Sequence, residues 1–236
     1  MKKIIVPLLA LASLGNAHAT QLLTAGETDF GLLIEDGMLE FEAHVVGGIL
    51  DNMNVDDEEF PLSDIIVVAD ASRARTVPSD AFAPTGVATG ETFWFLDQNI
   101  TADLTPFPAL AVDELNITDW TEEFISISLG EVTAPSDSGE FSTWFSTLSG
   151  PDFVFSTADP SATDANNTFA PTNHHHMNWG FSEPGVWTVE LLASGTHNDL
   201  GPLVASGTVT FNVIPEPSST LLIALSALGL ISRRRR

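Results

Sequence analysis

Between residues 20 and 213 no stretch of this chain sustains a 3.6-residue apolar period, whereas short alternating or β-branched runs recur throughout. Residues 124–129 put Ile125, Ile127 and Leu129 on one face. Residues 38–46 set Leu39, Phe41, Ala43 and Val45 against Glu40, Glu42 and His44. Residues 64–69 are continuously apolar after Asp64, as expected of a strand covered on both faces. Further strands are expected over residues 30–35, 92–96, 141–148, 152–157, 186–193 and 208–213, with turn residues between them. Residues 51–59, 76–90 and 159–172 are expected as loops, residues 105–108 as irregular chain and residues 113–123 as a short helical turn. About nine or ten short strands point to an all-β fold, an antiparallel β-sandwich with Greek-key, immunoglobulin-like connections formed by one domain over residues 20–213.

The densest chemistry lies in residues 173–187, Asn-His-His-His-Met-Asn-Trp-Gly-Phe-Ser-Glu-Pro-Gly-Val-Trp. The pattern predicts a strand, a turn at Glu183-Pro184-Gly185 and a second strand forming a hairpin. Side chains alternate along a strand, so His174, His176 and Asn178 share one face, and His175, Met177, Trp179 and Phe181 share the apolar one. Two imidazoles about 7 Å apart at the backbone suit a metal clamp. Neutral imidazole is a common ligand of zinc and copper, and a chain without cysteine must complete such a site with histidine, carboxylate or amide. The candidate ligands are therefore His174 and His176, with His44 and His197 as possible partners and carboxylates such as Glu42 beside His44. His175 is expected in the core. The plainer alternative is that His174 and His176 bond loop carbonyls and lock the sandwich edge. The acidic run at residues 51–59 does not fit the calcium-loop register of an EF-hand.

Charge narrows the partners. Of 8 basic residues, Lys2, Lys3 and Arg233 to Arg236 sit at the two ends, leaving Arg73 and Arg75 against 32 acidic residues. Such a surface repels nucleic acid and anionic membranes.

The ends read as addresses. Residues 1–19 have a basic start, an apolar run at residues 4–14 and a small-x-small site at Ala17-His18-Ala19, which predicts a secretory signal peptide cut before Thr20. Residues 214–236 contain Pro215-Glu216-Pro217, an apolar segment at residues 221–231, and Arg233, Arg234, Arg235 and Arg236. Taken alone, that order fits a single-pass tail anchor with its end held inside by arginines. It closely resembles the PEP-CTERM sorting signal. The resemblance implies a helical segment held transiently in the inner membrane of a Gram-negative bacterium, cut by an exosortase near the Pro-Glu-Pro, and a product delivered to the cell surface or extracellular matrix.

A second resemblance lies in the body. Residues 174–189 resemble the His-x-His-x-Asn-Trp-x-Phe-Ser-x-Pro-Gly signature of the choice-of-anchor M domain, related to actinobacterial surface-anchored repeats. His44 and the stretch at residues 139–157 look similar to its upstream features, although the family's early Gly-His-x-Asp is here Ala43-His44-Val45-Val46. Membership would imply a surface domain and, through neighbouring transporters, partners in metal uptake.

No Ser-His-Asp signature, Gly-x-Ser-x-Gly, His-Glu-x-x-His or phosphate-cradling glycine loop is present. The expectation is a non-enzymatic exported protein that holds a zinc or copper ion. Its alternatives are a polysaccharide-binding protein using exposed tryptophans, a purely structural matrix protein, or a metal-dependent hydrolase.

Overall fold

The alternating runs become strands of two facing sheets. The computed structural model describes residues 20–99, 105–161 and 167–215. The expected signal peptide with Ala17 and Ala19, and the sorting segment from Glu216 through Arg236, lie outside the described residues.

In chain order the strands are β1 (Gln21–Glu35), β2 (Met38–Leu50), β3 (Met53–Pro61), β4 (Ile65–Ala69), β5 (Ala74–Thr76), β6 (Thr92–Leu96), β7 (Phe107–Ala111), β8 (Ile125–Thr133), β9 (Phe141–Thr147), β10 (Gly150–Ser156), β11 (Thr168–Phe169), β12 (His174–His176), β13 (Asn178–Phe181), β14 (Gly185–His197) and β15 (Gly201–Val213). The larger sheet runs β11-β8-β14-β15-β4-β1-β2-β3, with β7 also paired to β1 and β12 to β7; the smaller runs β10-β9-β13-β6-β5. The all-β sandwich expected from the sequence is thus present. It is not purely antiparallel, because β4 pairs in parallel with β1 and β15, and β7 in parallel with β1.

Three local expectations are corrected. The acidic stretch expected as a loop forms β3, an edge strand whose Asp56, Asp57, Glu58 and Glu59 face solvent. Carboxylates on an edge strand discourage pairing with another chain, and they hid the strand from a hydrophobicity reading. The stretch around Pro106 and Pro108 expected to be irregular enters β7, a fully buried strand between β1 and β12. The hairpin expected over residues 173–187 does not form. At Met177 the chain leaves the larger sheet for the smaller, and past the Pro184 turn it returns to the larger as β14.

The core lies between the sheets. Trp179 on β13 has no exposed surface; its ring meets Phe30 on β1 edge-on at 5.2 Å and Phe211 on β15 at 5.6 Å. Phe141, Phe181 and Trp187 complete this aromatic column. Each such ring pair adds about 0.5–1.5 kcal/mol beyond area burial. The Trp179 indole N–H also donates to the Pro108 carbonyl (3.3 Å), tying the smaller sheet to β7.

One irregularity in β1 decides what the outer face of the larger sheet carries. Leu23 and Ala25 point inward at the start of the strand, and Phe30 and Leu32 point inward at its end, so the inward parity changes from odd to even. The change is made by a bulge, where the β1–β2 register slips between Leu23 and Ala25 and again between Ala25 and Glu27. Gly26 sits in it at φ +102°, packed against Gly47 and Gly48 of β2. Without the bulge Glu27 and Asp29 would point into the core.

Candidate metal centre

Past the bulge, Glu27 and Asp29 stand on the outer face of β1, opposite Phe107 and Ala109 of β7. Across β7, His176 pairs with Ala109 and His174 with Ala111. The histidines of β12 and the carboxylates of β1 therefore meet above the intervening strand. Its outward residues there, Ala109 and Ala111, are small enough to leave room over the backbone.

The four side chains converge. One ligand atom from each of Glu27, Asp29, His174 and His176 lies within 4.8 Å of all the others. His176 Nε2 is 2.9 Å from Glu27 Oε1; His174 Nε2 is 3.3 Å from the same oxygen and 2.9 Å from Asp29 Oδ1. The two imidazole rings lie 4.6 Å apart, and the His176 ring rests on Phe107. Asp29 is only 5% exposed, and its Oδ1 is ion-paired to His174 Nε2 at 2.9 Å. A buried carboxylate is costly unless a cation faces it, a place that the His174 imidazolium fills and that a metal ion would take over. Contact with Asp29, together with the charges of Asp113 and Glu27, outweighs burial and holds the His174 imidazolium up at about 9.

As a donor set this is two imidazole nitrogens and two carboxylate oxygens, whose two negative charges match a divalent ion. Two donors 2.9–3.3 Å apart and each about 2.1 Å from one ion subtend roughly 90–105°, within the range of four- to six-coordinate first-row metals.

The other expected residues go elsewhere. His44 sits on β2 opposite Asp29 in register, but its Nε2 meets Asp57 Oδ1 on β3 at 2.6 Å, outside the converging four. Burial lowers its pKa, but the Asp57 bond and the charges of Asp29, Asp57 and Glu59 raise it further. His197 closes the β14–β15 turn, its Nδ1 accepting from the amides of Asp199 and Leu200 and its ring standing edge-on to Trp120. His175 packs against Phe145 and Phe169 as expected of a core-side residue; burial, then the charge of His174, lowers its pKa. Asn178, expected on the face of His174 and His176, is buried in the smaller sheet, where its amide donates to Gln98, the Trp144 carbonyl and Ser146. The sheet switch at Met177 separates it from the histidines.

Sequence reasoning missed Glu27 and Asp29. The available signal was an acidic i, i+2 pair following a glycine, immediately before the first apolar run. Trp120, Trp144, Trp179 and Trp187 are buried, and Trp94 is half-buried.

A second group, Glu42, Glu59 and Glu114, also lies within 4.8 Å on this face. Burial first, then Glu59 and Glu114, raise Glu42 from its ordinary 4.5 to about 7; His44 opposes this and Glu35 adds to it. A folded-state value above the unfolded one contributes stability that is complete below about 4.5 and is lost as pH rises through about 7. Glu42→Gln should therefore flatten the fall in melting temperature between pH 5 and pH 8 and raise it at pH 8. Parallel slopes for the two proteins would contradict this assignment.

The sorting expectation meets direct support. The PEP-CTERM protein-sorting motif matches residues 213–236. The chain carries an exosortase sorting signal. Such a signal marks an exported protein, processed by exosortase and sorted to the cell surface in Gram-negative bacteria. No curated protein and no solved structure matches the chain.

Proposed function

We propose that this is a non-enzymatic surface or matrix protein of the choice-of-anchor M type that holds one divalent transition-metal ion through Glu27, Asp29, His174 and His176. The observation that carries the metal reading is the convergence of two imidazoles and two carboxylates, one ligand atom from each lying within 4.8 Å of all the others. Zinc is the reference ion and copper(II) the competitor; a donor set of Glu27, Asp29, His174 and His176 contains no sulfur, which disfavours copper(I). Glu27, His174 and His176 each keep about a quarter of their side-chain surface exposed, so the ion would be exchangeable with solvent and suited to capture and hand-over to metal-uptake components.

The test is elemental analysis and calorimetry on the exported protein purified without a polyhistidine tag. One equivalent of zinc or copper is expected at micromolar concentration, lost in a His174→Ala/His176→Ala double variant and retained in His197→Ala. No uptake by the unmodified protein would end the proposal.

A further inference from the structure

Resting on that metal reading, we infer that Asp113 is a positioning residue of the site: its carboxylate stands against Nδ1 of His174, favours the proton on that nitrogen, and so keeps Nε2 as the nitrogen that faces the metal. An imidazole offers two nitrogens, and a ligating histidine commonly donates its other N–H to a carboxylate or carbonyl, which fixes the ring and raises its basicity. In His174 the two nitrogens have separate surroundings. Nε2 faces Asp29 and Glu27, while Nδ1 faces Asp113 Oδ2 at 3.6 Å. That distance is an ionic contact about 0.5 Å longer than a hydrogen bond. His176 has no equivalent, because its Nδ1 is buried without a partner.

The backbone holds Asp113 beside His174 whatever occupies the site. Just past β7 and β12 the ladder continues, with the Val112 amide donating to the Asn173 carbonyl and the Thr172 amide to the Val112 carbonyl, both at 2.9 Å. The Leu115 amide then closes a turn on the Val112 carbonyl. Asp113 is thereby fixed two residues beyond the strand that forms the floor of the site. Its side chain is 46% exposed, so truncating it opens no cavity, and a change in metal affinity can be read apart from a change in folding.

Truncation of Asp113 should act through the orientation of His174. In calorimetry at fixed pH, Asp113→Ala should bind zinc about 10- to 100-fold more weakly at unchanged stoichiometry. The zinc-free melting temperature should stay within a degree or so, as for an exposed substitution. Asp113→Asn, which keeps an acceptor oxygen, should recover part of the loss. Nitrogen-15 NMR of the zinc-loaded protein should show His174 protonated at Nδ1, with that proton exchanging faster in Asp113→Ala. If the unmodified protein binds zinc and Asp113→Ala matches it within twofold, or the His174 proton in the zinc-loaded protein sits on Nε2, the inference is overturned while the metal site stands. If the unmodified protein binds no zinc, both fall.

Discussion

Gly26→Ala should cost about 3 kcal/mol or more of folding stability and abolish zinc binding together. The residue sits at φ +102°, and a Cβ there would lie 2.4 Å from Gly48 Cα and 2.8 Å from the Gly47 carbonyl oxygen. Both neighbours are backbone, so neither can swing aside. A left-handed backbone costs an L-residue about 1–2 kcal/mol, and overpacking about 1–3 kcal/mol more. The coupled loss of metal follows from parity. If the chain relieves the clash by removing the bulge, Glu27 and Asp29 rotate away from His174 and His176. Gly37→Ala is the control. Its φ is +80°, but the nearest atom to an added Cβ is the tip of Leu200 at 4.0 Å, so it should cost about 1–2 kcal/mol for its backbone alone. It should leave zinc binding intact. Urea titration and calorimetry on the two variants separate strain from site assembly. Gly26→Ala with normal zinc uptake would show that the bulge does not build the site.

The second large effect is stabilisation by the ion itself. At free zinc a hundredfold above its dissociation constant, binding to the folded state alone adds about 2.7 kcal/mol. For a domain of this size that is a rise of roughly 5–11 °C in melting temperature. Asp29→Asn, a near-isosteric change that removes one buried oxygen donor, should erase most of the rise. Calcium at the same concentration should produce a smaller shift, because imidazole is a poor ligand for a hard oxygen-seeking ion. An equal shift with calcium that survives Asp29→Asn would assign the effect to the acidic surface instead of the four-residue centre.

The sandwich was legible because alternation and β-branched runs report directly on which face is buried, as in β2 and β8. His174 and His176 were legible for the same reason, since two residues apart on a strand means one face. The positions that escaped are those where pairing overrides local pattern. β3 is charged because it is an edge, β7 carries two prolines near its start, and the strand of His174 changes sheets at Met177 although nothing in its alternation breaks there. Glu27 and Asp29 escaped because their orientation depends on a register slip against β2, a long-range property of two glycine-containing segments some twenty residues apart in sequence. His44 illustrates the converse. Its face was read correctly, but its partner, Asp57, belongs to a strand that the acidic composition concealed.

The end of β15 has a mechanical consequence. Val213 is at once the last residue of that strand and the first residue of the sorting match, and the amide of Ile214 still donates to the Ala69 carbonyl on β4. Tension applied through the sorting segment would thus enter at the middle of the larger sheet with scarcely any slack. It would be resisted by thirteen register pairs with β14 on one side and four with β4 on the other. A pull along β15 loads those ladders in shear, many hydrogen bonds at once, in place of peeling them singly from a free edge.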